Sequence, residues 1–273
     1  CISSGERAIL FLNRRGSSTV VMCRSCGYVL TCPRCSVAMA YHTSLQAHLR
    51  CHHCNYRASR PSKCPDCESV YVKYLGVGTQ MVLSELNKLF PGVSAVRWDS
   101  DAALSITEQH RVIKDLESGK SQVLVGTQMI AKGLHVPAVT LVGVILADIG
   151  LSLHDFRAGE KTFQLLCQVV GRSGRGVKQG VAILQTYNPN SYVIQSAARQ
   201  NFQSMYQREI KFRNEQKLPP FTKIARLIYL NSDKYDAELE AKRFANVLRK
   251  KLQSPLECDY DLTGPAPGIP ELI

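Results

Sequence analysis

Residues 105–126, SITEQHRVIKDLESGKSQVLVG, pair a helix with a buried strand. Ser105 is suited to begin the helix, because Glu108 follows three residues later and completes a capping box for the free N–H groups of the first turn. The pattern predicts a helix over residues 105–116. The apolar run at residues 122–126 is short, which favours a buried strand over a second helix.

A fragment between these two elements imitates a nucleotide-binding motif. Gly119-Lys120-Ser121 resembles the end of a phosphate-binding loop, but such a loop requires glycine where this chain has Lys114. The loop also follows a strand and opens a helix, whereas here a helix comes first. The sequence contains no complete phosphate loop and no Asp-Glu pair placed to hold magnesium. We therefore expect the chain to lack the usual parts that bind nucleotide phosphates.

The same alternation of strand and helix continues on both sides of this segment. We predict strands at 8–12, 93–98, 139–147 and 181–186, and helices at 79–90 and 157–170. The order favours an α/β fold, a parallel sheet covered by helices on both faces, with ligands at the carboxyl ends of the strands. The helical spacing of 79–90 puts four apolar residues on one side: Val82, Leu86, Leu89 and Phe90. Residues 190–216 are predicted to link to a last domain, with four aromatics as a core stripe: Tyr192, Phe202, Tyr206 and Phe212.

Length and charge narrow the class of protein. A chain of 273 residues is long enough for about two domains. Its 34 Lys and Arg against 22 Asp and Glu give a net charge of +12, which indicates a polyanionic partner, with nucleic acid the first choice. No apolar run reaches the roughly 18 residues of a membrane span, and the first residues do not have the pattern of a signal peptide.

Cysteines carry the strongest chemical signal. Two thiolates in a tight turn can face one ion, and structural zinc takes four ligands, so four Cys-x-x-Cys pairs predict two zinc sites. A disulfide framework is the first alternative to zinc, but such frameworks are typical of small secreted domains. A redox role is the second alternative, but redox Cys-x-x-Cys pairs usually come singly. The pairs are Cys23/Cys26, Cys32/Cys35, Cys51/Cys54 and Cys64/Cys67, whereas Cys1, Cys167 and Cys258 stand alone.

The spacing of the pairs bears on which of them share an ion. Joining the second pair to the third leaves 15 residues between them, a common spacing in zinc sites, and leaves the first pair for the fourth. Joining the first pair to the second leaves only five residues to bring one cysteine turn onto the other. A crossed arrangement also fits the loop lengths, so the spacing leaves nested and crossed pairing open.

Two segments have the chemistry of a phosphate or nucleic-acid site. Residues 125–133, VGTQMIAKG, follow a strand and offer side-chain donors at Thr127, Gln128 and Lys132. Residues 168–176, QVVGRSGRG, place Arg172 and Arg175 three apart, and guanidinium groups suit the charge on a transferring phosphoryl group. The alternatives are an ordinary strand-to-helix turn and a basic helix end, although the glycines of the second segment favour function.

Several motifs together resemble one helicase family. In chain order they are Asn13-Arg14-Arg15-Gly16, the four cysteine pairs, residues 126–133, Asp155-Phe156-Arg157-Ala158, Thr162-Phe163-Gln164-Leu165-Leu166, and Gln168-x-x-Gly171-Arg172-x-Gly174-Arg175. This order resembles primosomal protein N′, the PriA family of bacterial replication-restart helicases in superfamily 2. Leu218-Pro219-Pro220-Phe221 and Gly264-Pro265-Ala266-Pro267 resemble its C-terminal domain, so the likeness covers nearly the whole chain.

The resemblance implies a domain order and an activity. Residues 1–22 would start a second RecA-like helicase lobe, 23–68 would be a zinc-binding insertion, 69–190 the rest of the lobe, and 191–273 a linker helix and an incomplete C-terminal domain. The parent would be an ATP-dependent 3′-to-5′ DNA helicase that recognises stalled forks and D-loops and restarts replication by assembling the primosome. ATP and Mg²⁺ would bind only together with a first lobe that this chain lacks, so the chain alone would be inactive.

The resemblance also implies roles for particular residues. Gln168, Arg172 and Arg175 would complete the ATP site catalytically, with Gly133 as a further nucleotide contact, and Thr127, Gln128 and Lys132 would contact DNA. The family implies nested zinc pairing, with one zinc on Cys23, Cys26, Cys64 and Cys67 and the other on Cys32, Cys35, Cys51 and Cys54. The sequence departs from the family at His135, where the family has Asp.

Expected partners follow from the same likeness: forked and single-stranded DNA, other primosome proteins and single-stranded-DNA-binding protein, with no membrane. The protein would be a monomer in the bacterial cytoplasm. The competing reading is a non-catalytic nucleic-acid-binding scaffold built of two zinc ribbons and a basic α/β domain. A redox enzyme using one Cys-x-x-Cys pair is a third class, which zinc-free, readily titratable thiols would reveal.

Overall fold

A computed structural model describes most of the chain, in two compact units. The described residues are 2–13, 20–34, 38–42, 48–51, 53–75, 78–99, 105–131, 136–153, 155–173, 179–252 and 260–266. The first unit consists of Cys1–Arg15 and Gly76–Phe221, and the second of Gly16–Leu75 and Thr222–Ile273. Among the described residues, no helix combines the length and apolarity needed to cross a membrane.

The described residues of the two units form strands and helices that are numbered here in chain order. The strands are β1 (Arg7–Leu12), β2 (Val20–Cys23), β3 (Ala40–His42), β4 (His48–Arg50), β5 (Arg57–Ala58), β6 (Val72–Leu75), β7 (Ala95–Trp98), β8 (Val123–Gly126), β9 (Val139–Ile145) and β10 (Val181–Leu184). The helices are α1 (Thr79–Leu89), α2 (Ile106–Ser118), α3 (Gln128–Ala131), α4 (Ala158–Val170), α5 (Tyr192–Ala198), α6 (Phe202–Glu215) and α7 (Lys234–Leu252), with 3-10 helices at Ile2–Ser4 and Ala147–Ser152.

A parallel sheet forms the centre of the first unit. Its strand order is β10-β9-β1-β8-β7, and all four pairings are parallel. Because side chains alternate along a strand, β1 serves both faces of the sheet. Ile9 and Phe11 join the core formed with α4 and α5, while Ala8 and Leu12 join the core on the α1 side. The predicted α/β class with a parallel sheet is confirmed.

Helix α2 shows the local rules most plainly. The Ser105 side chain accepts a hydrogen bond from the Glu108 N–H, and the Glu108 side chain accepts from the Ser105 N–H, so the predicted capping box is present. The helix ends at Gly119, whose φ of 85° lies in the left-handed region that glycine adopts most readily. Arg7 donates from Nε to the Leu116 carbonyl at 2.9 Å and so satisfies a free acceptor in the last turn.

The structure shows which apolar residues of α1 and α6 are buried. On α1, Val82 and Leu86 pack against the sheet, whereas Leu89 and Phe90 at the helix end are more than half exposed. The aromatic core stripe is wrong for Phe202, Tyr206 and Phe212, which are all exposed. Helix α6 buries Met205 and the charged Glu209 instead, because the Glu209 carboxylate is bonded by Tyr192 of α5 and by Arg213 one turn further along α6.

The second unit contains an antiparallel sheet with a core rich in sulfur. Its strand order is β5-β4-β3-β2-β6, with each neighbouring pair antiparallel. The buried residues include Val21, Leu49 and Val72 together with four cysteines: Cys23, Cys32, Cys51 and Cys64. So few apolar residues make a small core, and small domains of this kind usually require a metal or a disulfide for stability.

Candidate functional site

Three of the four Cys-x-x-Cys pairs have the same backbone geometry. In each, the residue after the second cysteine takes a positive φ: 81° at Gly27, 62° at Asn55 and 56° at Glu68. Each of these residues donates its N–H to the carbonyl of the first cysteine of its pair, at 2.9–3.0 Å. The chain therefore reverses tightly at each pair, which turns both thiols of the pair toward the same side.

Backbone N–H groups also point at the sulfur atoms. Ser25, His53 and Asp66 each donate an N–H to the sulfur of the cysteine two residues earlier, all at 3.4 Å. Hydrogen bonds to a thiolate favour its charged form, which is the form that binds a metal. The three turns are thus arranged for ligation and not merely for compactness.

The thiols of the first and fourth pairs come together. The sulfur atoms of Cys23, Cys26, Cys64 and Cys67 all lie within 4.8 Å of one another. Cys23 and Cys67 are 3.7 Å apart at sulfur, and so are Cys26 and Cys64. A zinc–sulfur bond of about 2.3 Å in a tetrahedron requires sulfur atoms about 3.8 Å apart. The four thiols therefore fit one tetrahedral zinc ion.

A second group is formed by thiols of the second and third pairs. The sulfur atoms of Cys32, Cys51 and Cys54 lie within 4.8 Å of one another, with Cys32 and Cys54 3.5 Å apart. Cys35, the predicted fourth ligand, lies outside the described residues. Three thiols at this spacing fit three corners of a zinc tetrahedron.

The pKa values of two cysteines of the first group are shifted in opposite directions. Burial raises the pKa of Cys23, but N–H groups of Cys26 and Ser25 outweigh it and bring the pKa to about 6. The Tyr28 N–H lowers the pKa of Cys26, yet burial and the neighbouring sulfur atoms raise it to about 12. One thiolate thus forms readily while the next does not, because the two negative charges repel one another without a cation between them.

A buried arginine supports the third cysteine pair, and the sequence did not reveal it. Arg50 on β4 is buried and donates from Nε to Oδ1 of Asn55 at 2.9 Å. This bond holds the residue whose left-handed conformation closes the turn at Cys51 and Cys54. No signal in the sequence marks Arg50, because its burial and its contact with Asn55 appear only in the folded chain.

Polar residues directly follow three neighbouring strands of the parallel sheet. Asn13 follows β1, Asp99 follows β7 and Thr127 follows β8, and all three side chains are buried. Gln128 donates from Nε2 to Oδ1 of Asn13 at 3.2 Å. Thr127 and Gln128 are thus at the predicted carboxyl edge, whereas Lys132 and Gly133 lie outside the described residues.

Gly126 is required at this turn by the closeness of β7. A Cβ at this position would collide with the Trp98 carbonyl and with the Ile130 side chain. The absence of a side chain lets the Thr127 N–H reach the same Trp98 carbonyl at 3.3 Å. The strand therefore turns into α3 directly beside the end of β7.

Two of the predicted nucleotide contacts, Gln168 and Arg172, lie at the end of α4. Gln168 is exposed on the last turn, and Arg172 is half-buried just past the helix end, with its N–H bonded to the Val169 carbonyl. Arg175 lies outside the described residues. The described arrangement therefore leaves the Gln168 side chain open to solvent one turn before Arg172.

Comparisons with known proteins identify the family of the chain. Residues 32–58 match the family model described as the PriA DNA helicase Cys-rich region domain, and residues 70–177 match the helicase conserved C-terminal domain. The replication restart protein PriA of Bacillus subtilis is 44% identical over 91% of this chain and 31% of its own length. That of Synechocystis is 40% identical over 96% of this chain and 32% of its own length. The chain belongs to the PriA family.

The chain spans about a third of the length of these PriA relatives. The Cys-rich model covers the second and third cysteine pairs. The helicase model covers β6 to the end of α4 and includes residues 125–133 and 168–176, the two segments with donor and guanidinium side chains. The solved C-terminal domain of the DEAD-box protein Dbp5 is 19% identical to this chain. The similarity covers 77% of this chain and 82% of that domain, with a TM-score of 0.36. So low a score adds nothing to the family assignment.

Proposed function

We propose that this chain supplies the second motor lobe, the zinc module and residues of the C-terminal domain of an ATP-dependent 3′-to-5′ DNA helicase. In this proposal the whole protein recognises stalled forks and D-loops in the bacterial cytoplasm and restarts replication by assembling the primosome. The PriA relatives and the helicase C-terminal model support the proposal. The observation that carries it is the end of α4, where an exposed Gln168 precedes Arg172 by one turn.

The ATP site is completed from this lobe. ATP and Mg²⁺ bind on the first lobe, and Gln168, Arg172 and Arg175 approach the γ-phosphate when the two lobes close, with Gly133 as a further contact. A guanidinium placed there stabilises the negative charge of phosphoryl transfer, and one such group can raise the rate roughly 10³- to 10⁵-fold. The chain without a first lobe then has no ATPase activity.

The turn after β8 contacts DNA. Gln128 and Lys132 donate to the backbone of the bound strand, since such contacts come mainly from long polar and basic side chains. Thr127 is buried, so its part is to shape the turn that presents these donors. The net charge of +12 favours binding to a polyanion.

The zinc module holds two structural zinc ions. One binds Cys23, Cys26, Cys64 and Cys67, and the other binds Cys32, Cys35, Cys51 and Cys54. Bound zinc supplies cross-links that a small core cannot replace, so its binding energy is folding energy. The cysteine turns themselves orient the thiolates through their backbone N–H groups.

Turnover of ATP by the full-length protein tests this function. We expect Arg172→Ala to lower fork-stimulated ATP hydrolysis at least 10³-fold while changing fork affinity less than threefold. The matched control is Arg208→Ala, because Arg208 is exposed on α6 and equally basic; it should hydrolyse ATP at the wild-type rate. Arg172→Ala turning over at the wild-type rate would show that the assigned role is wrong.

A further inference from the structure

Four residues from different elements meet behind the predicted DNA-contacting turn. Asn13 follows β1, Gln128 begins α3, Gly150 lies in the 3-10 helix after β9, and Thr162 lies in the second turn of α4. Asn13 and Thr162 are 96% and 98% buried. The group therefore connects the turn that carries Gln128 with the helix that carries Gln168, through the interior of the lobe.

Asn13 is bonded on one side of its carboxamide. Its Oδ1 accepts from Nε2 of Gln128 at 3.2 Å. Its Nδ2 points to the other side, toward Gly150: a Cβ at Gly150 would lie 2.5 Å from Asn13 Nδ2 and still closer to Thr162 Oγ1. The Asn13 Nδ2 donor and the Thr162 hydroxyl thus both lie where a Cβ of residue 150 would be, and only glycine at this position leaves room for both.

The Thr162 hydroxyl has no hydrogen-bond partner within the described part of the chain, although it is fully enclosed. A buried hydroxyl without a partner is unfavourable, and such a group calls for a functional explanation. After a small shift of α4, the nearby Asn13 Nδ2 would donate a hydrogen bond to the Thr162 hydroxyl. The observed arrangement is therefore one of two that these side chains can form.

We propose that Asn13 and Thr162 are positioning residues that couple DNA contact to the ATP site. When DNA engages Gln128, the Asn13 carboxamide shifts with it, and Nδ2 donates to Thr162 Oγ1. Helix α4 then moves as a rigid body, and because Arg172 follows its end, the guanidinium is brought into place for the phosphate. This inference rests on the proposed function, since it requires Gln128 to contact DNA and Arg172 to serve ATP.

Thr162→Val tests the coupling, because valine keeps the shape of threonine and removes only the hydroxyl. In the full-length protein we expect Thr162→Val to fold at least as stably as wild type, since an unpartnered polar group is removed. Single-stranded DNA affinity and ATPase without DNA should stay within threefold of wild type. Stimulation of the ATPase by DNA should fall at least tenfold, and Thr162→Ser, which keeps the hydroxyl, should regain at least half of it.

A double-mutant cycle separates coupling from packing. Asn13→Asp keeps an oxygen for Gln128 but replaces the Nδ2 donor, so it should lose DNA stimulation as Thr162→Val does. The double variant should then be no worse than either single one, because both remove the same bond. If the losses of DNA stimulation from the two single changes multiplied in the double variant, the coupling would be overturned. Easier unfolding of Thr162→Val than of wild type would also overturn it.

Wild type and Arg172→Ala, measured in the same assay, distinguish a failure of the proposed function from a failure of the coupling. Wild type without DNA stimulation, or Arg172→Ala with normal turnover, would overturn the proposed function itself. With both controls behaving as expected, Thr162→Val stimulated by DNA as strongly as wild type would overturn the coupling alone.

Discussion

Arg213 on α6 and Glu160 on α4 are joined by an ion pair of 2.9 Å, and Arg213 also bonds Glu209 at 2.9 Å. The Arg213 guanidinium lies 5.3 Å from the centre of the Phe156 ring, and Tyr192 donates its hydroxyl to Glu209 at 2.7 Å. Burial and the Glu209 carboxylate raise the pKa of Tyr192, so its proton stays in place. This network fastens α6 to the start of α4.

Arg213→Ala should lower the free energy of unfolding by about 3 kcal/mol, because it leaves the buried Glu209 carboxylate without its cation. Urea unfolding measures this loss. The control is Lys211→Ala, whose pair with Glu215 is exposed and 3.9 Å long, and which should cost less than about 1 kcal/mol. Equal losses in the two variants would show that the network contributes nothing special.

Glu68→Gly should stabilise the zinc module. Glu68 holds a φ of 56°, a conformation that costs an L-residue roughly 1–2 kcal/mol and glycine almost nothing. Glycine also makes the unfolded chain more flexible, so the net gain should be about 0.5–1 kcal/mol. Thermal unfolding with zinc present measures it. Gly27→Ala, at a φ of 81°, is the reverse change and should destabilise; a loss of stability in Glu68→Gly would contradict the argument.

Asp155 should contribute stability that acid removes. Burial raises the pKa of its carboxyl group, but the Lys161 ammonium and the Arg157 N–H outweigh burial and hold the pKa below its usual value. A group with a depressed folded pKa stabilises the fold above its unfolded pKa of about 3.9 and loses this effect as pH falls through the folded value.

The measurement is the difference in unfolding free energy between wild type and Asp155→Asn across pH 7 to 3. The difference should be largest near neutral pH and should shrink below about pH 4. Asp261→Asn, which removes an exposed carboxylate, should show no such trend. A difference that stays constant as the pH falls would refute the assignment to Asp155.

Metal analysis should find two zinc ions per chain in protein purified under reducing conditions. Cys64→Ser should remove one and Cys51→Ser the other, because their sulfur atoms belong to different groups. Cys167→Ser, a cysteine of α4 outside both groups, should keep two. If Cys64→Ser kept both ions, the proposed grouping would be incorrect.

Much of the first unit could be predicted because local rules decided it. Ser105 and Glu108 specify the start of α2 through the capping box that they form with each other, and the short apolar run of β8 favours a buried strand. Aromatic residues of α6 misled the prediction, since an apolar side chain does not reveal that Glu209 and Arg213 have taken the buried face. Which face of a helix is buried depends on partners that the helix sequence does not contain.

The candidate sites divide in the same way. Cys-x-x-Cys pairs reveal themselves because the two ligands are three residues apart, but loop lengths alone left nested and crossed grouping open. The contact of Asn13 with Gln128 joins residues 115 positions apart, so only the order of β1 and β8 in the sheet brings them together. Arg50 and Thr162 owe their importance to burial, which becomes visible only after the chain has folded.

Unwinding by the full-length protein tests the central claim most directly, namely that Arg172 of this lobe serves ATP turnover. The substrate is a duplex with a single-stranded 3′ tail, and strand separation is measured in the presence of ATP and Mg²⁺. We predict unwinding by wild type and by Arg208→Ala, and none by Arg172→Ala although it binds the same DNA. Unwinding by Arg172→Ala at the wild-type rate would contradict the account.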